Sequence, residues 1–137
     1  MDLRVLGPGD EDLLVRAVAM IGEAELTHER AAAHLADPSL VNLVALVDGE
    51  VAGFLYGYVL KRYEARSFFI YSVDVDERFR RRGIAGAMLA RLRVMGATRW
   101  DEMFVFTNRG NAAAMRLYAS AGGVAPPPDD VVMFDFD

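Results

Sequence analysis

Residues 80–86 read Arg-Arg-Arg-Gly-Ile-Ala-Gly, and they separate an apolar segment ending at Val75 from an apolar helical pattern that starts at Ile84. This is the segment that most constrains the fold. A strand must end, turn through a basic loop and open directly into a helix. The first backbone N–H groups of a helix have no partner within it and carry the positive end of its dipole. Small residues at Gly83, Ala85 and Gly86 let a phosphate approach those N–H groups, and Arg80, Arg81 and Arg82 add full charges. The spacing is that of a diphosphate seat. It is not a nucleotide triphosphate loop, which would need Lys-Ser or Lys-Thr after the last glycine. Nor is it Gly-x-Gly-x-x-Gly, because Arg81 stands where the first glycine would be.

The remaining pattern is Arg80-x-x-Gly83-x-Ala85, with Val73-Asp74-Val75 upstream and Asn111-Ala-Ala-Ala114-Met-Arg-Leu-Tyr118 followed by Gly122 downstream. Together these resemble the acetyl-CoA signature of the GNAT superfamily of N-acetyltransferases. The resemblance implies an α/β (α+β) fold with a mixed central sheet and acetyl-CoA as cofactor. It implies a cofactor site made by Val73, Val75, Arg80, Arg81, Arg82, Gly83, Ile84, Ala85, Gly86, Asn111, Ala114 and Tyr118. It also implies that the main chain of the strand holding Val73 lines the pantetheine arm, and that the next strand, around Phe106, splays away to admit it.

Periodicity gives the order β-α-α-β-β-β-α-β-α-β in one domain of 137 residues. A short strand over 3–6 precedes a helix capped by Asp10, and Thr27 caps a second helix that ends before Pro38. Strands over 40–47 and 51–60 flank Asp48-Gly49, a strong hairpin turn. Strands over 68–75 and 103–107 bracket a helix from Gly83, a helix over 111–121 follows, and 131–136 reads as a last strand. Strict alternation in the strand over 68–75 puts Ile70, Ser72 and Asp74 on one face and Tyr71, Val73 and Val75 on the other.

Composition narrows the function classes. There is no cysteine and there are two histidines, which excludes thiol catalysis and makes a poor zinc set. No apolar run is long enough for a membrane span and no signal segment opens the chain, so a cytoplasmic location is expected. Net charge is −5, yet Arg78, Arg80, Arg81 and Arg82 crowd five positions. A local basic patch on an acidic protein suits coenzyme phosphates and a cationic second substrate, and it disfavours nucleic acid.

Transfer of acetyl to an amine needs a base for the ammonium and an acid for the leaving thiolate. Tyr118 sits where the family places its general acid. Asp74 is the base that strand geometry favours, and His28, in the region joining the first two helices, has a suitable intrinsic pKa. Glu64 is a third option, and His34 reads as structural.

From Tyr58 onward the chain is similar to the aminoglycoside 3-N-acetyltransferases of the GNAT type, through Tyr63-Glu64, Arg66-Ser67, Ile70-Tyr71, Leu117-Tyr118 and Phe134-Asp135-Phe136-Asp137. That resemblance implies a cationic aminoglycoside as acceptor, held by Glu25, His28, Glu64, Asp74, Asp135 and Asp137, and pairing of two chains as a homodimer. The chain departs from the family in having Ser72 where an aspartate is usual and no acid over 107–111. An acetyltransferase for a peptide, protein or polyamine amine is the alternative enzyme. A non-catalytic acyl-CoA-binding module is the alternative of another class, and it would not need Tyr118.

Overall fold

The computed structural model describes residues 1–23, 25–126 and 131–136. Contacts divide it into two units, Met1–Phe106 and Thr107–Asp137.

The first unit carries β1 (Asp2–Val5), α1 (Glu11–Met20), α2 (His28–Leu35), β2 (Leu40–Val47), β3 (Glu50–Arg62), β4 (Ala65–Val75), α3 (Ile84–Gly96) and β5 (Glu102–Val105). The strands form one sheet in the order β1-β2-β3-β4-β5. Pairing is antiparallel from β1 to β4 and parallel between β4 and β5. This is the mixed α/β sheet that the sequence predicts.

Local chemistry explains the element ends. Asp48 and Gly49 both take positive φ, 50° and 80°, as a tight two-residue hairpin requires. Thr27 Oγ1 accepts the N–H of Arg30 at 3.1 Å and caps α2. Asp10 departs from expectation: it precedes α1 without capping it, because its carboxylate accepts the N–H of Gly7 at 2.9 Å instead. The β3–β4 hairpin is longer than the sequence predicts, closing at Tyr63-Glu64.

One face of the sheet is covered by α1 and α2. Leu14 and Ala17 from α1 and Ala31 and Leu35 from α2 are buried with Leu6, Val44, Val51 and Phe54. Burying each of the larger side chains is worth about 1.5–3 kcal/mol. The opposite face carries α3, whose Ile84, Met88, Leu89 and Leu92 are buried. Gly53 makes this approach close, since a Cβ there would lie 2.9 Å from both Ile84 and Met88.

Strand β4 corrects the predicted alternation. Ile70 pairs with Gly57 and Ser72 pairs with Tyr56, so Tyr71 is an extra residue in β4. Such a bulge shifts which side chains share a face. Val73 and Val75 lie opposite Leu55 and Gly53, on the α3 face with Ile70. Tyr71 joins Phe69, Ser72 and Asp74 on the other face, and its ring stands 5.3 Å from Tyr56. Gly57 permits the distortion, because a Cβ there would lie 2.1 Å from the carbonyl oxygen of Phe69.

The second unit is built on α4 (Ala112–Ser120). Asn111 caps it by accepting the N–H of Ala114 at 3.0 Å, and the N–H of Gly123 closes its end on the carbonyl of Tyr118 at 2.8 Å. The strand expected over 131–136 does not form among the described residues, and Val131, Val132, Met133, Phe134 and Phe136 are exposed. An apolar alternating segment has strand propensity, but strand structure needs a ladder partner to hold it. No helix among the described residues is long and apolar enough to cross a membrane.

Candidate active site

After Val75 the chain enters a short 3-10 turn, Glu77–Phe79, capped by the Asp76 side chain. Arg78 is used structurally. Its guanidinium pairs with Asp76 at 3.3 Å and Glu50 at 3.6 Å, and it stands over the Phe79 ring at 5.1 Å. These hydrogen bonds hold the Asp76 carboxyl below its usual pKa and raise that of Arg78. Arg80 donates from Nε to the carbonyl of Val75 at 3.2 Å. Arg82 also lies over the Phe79 ring, at 5.3 Å, and Phe79 itself is buried. Arg81 and Arg82 are exposed and have no carboxylate partner among the described residues.

The turn reverses through Arg81 and Gly83, with φ of 65° and 76°. Gly83 is the N-cap of α3 and offers no side chain there. The first bond of the helix runs from the N–H of Ala87 to the carbonyl of Gly83 at 3.0 Å. The N–H groups of Ile84, Ala85 and Gly86 thus precede the helical ladder. A Cβ at Gly83 or Gly86 would meet nothing within 4 Å, so the space above this helix start is open. Ile84 contributes its N–H alone, since its side chain is in the core. An open helix start beside unpaired arginines fits a diphosphate.

The parallel ladder between β4 and β5 covers only Ser67 to Ile70 of β4. From Tyr71 to Val75, β4 continues past the end of β5. Its main chain there is the part that leads to the basic turn.

Asp74 lies half-buried on the face opposite α3, across from Phe54, and accepts a hydrogen bond from Ser72 Oγ. Tyr56 belongs to the same cluster. Burial, and then the charges of Glu23, Tyr71 and Asp74, push its phenol up to about 12. Phe54, Tyr56 and Tyr71 form a run of rings at 5.2 and 5.3 Å. Phe69 continues it to Phe104 and Phe106 at 5.1 and 5.7 Å. Glu23, Tyr56 and Tyr71 are not among the site residues that the sequence predicts. The glycines at 53 and 57 that flank Tyr56 were the available signal.

The other predicted site residues are dispersed. His28 opens α2 and faces Asp12 of α1 at 3.5 Å, both exposed. His34 bonds Asn42 at 3.1 Å, as a structural histidine would. Glu25 is exposed between α1 and α2. Glu64 lies in the β3–β4 turn, and β4 runs about 33 Å from there to Val75 at ~3.3 Å per residue. It is therefore remote from the basic turn. In the second unit, Tyr118 is half-buried on α4, Asn111 and Ala114 are engaged in the helix cap, and Asp135 is exposed. Asp137 lies outside the described residues.

Residues 13–122 match the model of the acetyltransferase (GNAT) family. No curated protein matches the chain. Among solved structures, an aminoglycoside acetyltransferase from an uncultured soil metagenomic sample superposes with a TM-score of 0.87 at 29% identity, over 99% of this chain and 97% of that one. A second aminoglycoside acetyltransferase from such a sample, in complex with sisomicin, gives 0.90 at 20% identity, over 99% and 95%. Aminoglycoside N-acetyltransferase AAC(6')-Iy in complex with CoA gives 0.78 at 18% identity, over 99% of each chain.

Proposed function

The chain belongs to the acetyltransferase (GNAT) family, and from that premise we propose that it moves acetyl from acetyl-CoA to an amine of an aminoglycoside, the 3-amino group being favoured. The observation that carries the cofactor half is the turn at Arg81 and Gly83, which opens three helix N–H groups beside unpaired arginines. In this reading Arg81, Arg82 and the N–H groups of Ile84, Ala85 and Gly86 hold the diphosphate. The β4 main chain around Val73 and Val75 lines the pantetheine arm. Bound acetyl-CoA supplies an acyl group activated as a thioester.

The acceptor half rests on the opposite face of β4. Glu23 and Asp74 provide carboxylates, and Tyr56 and Tyr71 provide rings. Carboxylates beside aromatic faces suit a sugar that bears ammonium groups. Asp74 takes a proton from the acceptor ammonium, directly or through a water, so that the amine has a lone pair. Ser72 orients the Asp74 carboxylate. Tyr56, with its raised pKa, stays protonated at neutral pH and acts as a hydrogen-bond donor. Tyr118 donates the proton that the departing sulfur requires. Similarity to aminoglycoside acetyltransferases and the Phe134-Asp135-Phe136 ending support this acceptor class.

The test is to incubate the protein with acetyl-CoA and sisomicin and locate the new amide by NMR. Acetylation of the 3-amine is expected. Acetylation at another amine would remove the 3-amino assignment, and no acetylated product would remove the aminoglycoside reading while leaving the family intact.

A further inference from the structure

The end of the sheet remote from the basic turn holds a cavity of about 410 Å³. That size falls in the range of roughly 300–1,000 Å³ common for small-molecule sites. Its wall is Lys61 and Glu64 from the β3–β4 hairpin, Arg66 from β4, and Arg99, Trp100 and Asp101 from the segment after α3. The wall is preorganised. Trp100 stacks on the buried Phe68 ring at 4.3 Å. The last residue of α3 is Gly96, where a Cβ would lie 2.3 Å from the indole. The N–H of Asp101 donates to the carbonyl of Arg66, and the N–H of Arg66 donates to the Asp101 carboxylate, each at 2.8 Å.

Charge singles the cavity out. Nearby Arg62 is neutralised by Glu102 at 2.5 Å. Lys61, Arg66 and Arg99, by contrast, have no ion-pair partner among the described residues. Arg99 instead lies over the Trp100 ring at 5.7 Å. The Asp101 carboxylate is held by the N–H of Arg66, and with Glu64 it sets two negative charges against the three cations of the wall. The carbonyl of Gly96, at the end of α3, accepts from the backbone N–H groups of both Arg99 and Trp100. On a chain of net charge −5, a wall with one excess positive charge beside an aromatic ring is locally suited to an anion.

We propose that this cavity is a second binding site, separate from the basic turn, for a small organic dianion that carries a flat ring. The ring takes the place of the Arg99 guanidinium over Trp100, and Arg99 turns to hold the anionic group with Lys61 and Arg66. The planar guanidinium fork matches two oxygens of a phosphate or a carboxylate.

Trp100 is the sole tryptophan, so its emission reports occupancy directly. Adenosine monophosphate serves as the probe. A saturable change in emission is expected, with affinity at least about tenfold weaker in the Arg66→Gln, Arg99→Gln double variant, as loss of charge-assisted bonds dictates. Arg81→Gln should leave the titration unchanged. No saturable change in the parent protein overturns the proposal. So does a change that survives the double variant, or one that Arg81→Gln abolishes, which would put the probe at the basic turn. Should the double variant melt early, exposed Lys61→Gln is read in its place, and an unaltered affinity there overturns the proposal.

Discussion

Gly83→Ala separates the two jobs of the turn before α3. Gly83 holds φ at 76°, and a Cβ there would touch nothing within 4 Å. The substitution thus adds no clash and costs only the left-handed strain of an L residue, about 1–2 kcal/mol. Alanine also restricts the unfolded chain, which returns about 0.4–1 kcal/mol. The net loss is about 0.5–1.5 kcal/mol, a fall in Tm of roughly 2–6 °C for a chain of this size. Function should suffer more. The strain is relieved by rotating the turn, and rotation misdirects the N–H groups of Ile84, Ala85 and Gly86. Losing one hydrogen bond to a charged group costs about 1.5–3 kcal/mol, so the Kd for acetyl-CoA should rise about tenfold or more. Thermal melts followed by circular dichroism and titration calorimetry with acetyl-CoA measure the two effects. An unchanged Kd alongside the predicted Tm shift would refute the assignment of the diphosphate to this turn. A fall in Tm far beyond the predicted range would refute the strain argument.

Gly96→Ala should do the reverse, since the added Cβ lies 2.3 Å from the Trp100 ring: Tm falls by more than in Gly83→Ala, and acetyl-CoA affinity in the folded fraction is kept. Arg81→Gln should raise the KM for acetyl-CoA and reduce its salt dependence, whereas Arg78→Gln, which removes pairs to Asp76 and Glu50, should leave that KM alone. Asp74→Asn should lower kcat by about 10²–10⁴ with acetyl-CoA affinity intact if Asp74 is the base, and an unchanged kcat would move that role elsewhere. Tyr56 favours its protonated form in the fold, so the stability it supports is present below the ordinary tyrosine pKa and is lost as pH rises through about 12. An absorbance titration should show one late-ionising phenol that Tyr56→Phe removes, and identical curves for the two proteins would contradict this.

The sequence carries the architecture because hairpin and helix signals are local. Asp48-Gly49 announces its turn by its own φ preferences, and Thr27 caps α2 with one hydroxyl. The bulge at Tyr71 is different. It depends on contact between two strands, through the missing side chain of Gly57, and period-two counting along β4 alone does not reveal it. That is why Tyr71 changes face and why the cluster of Tyr56, Tyr71 and Asp74 is visible only in three dimensions. Asp10 shows the same limit, since either the helix or Gly7 can use its carboxylate, and Gly7 wins. The basic turn was legible because residue type fixes both its conformation and its charge. The distance between Glu64 and that turn was not, because it follows from the length of a hairpin whose strands extend beyond their apolar centres.

Thiol release from acetyl-CoA is the decisive measurement for acetyl transfer to an aminoglycoside. The acceptors are a panel of aminoglycosides, spermidine and a lysine-rich peptide. Turnover is expected with the aminoglycosides and is lost in Asp74→Asn. Turnover on the peptide or spermidine alone would contradict it.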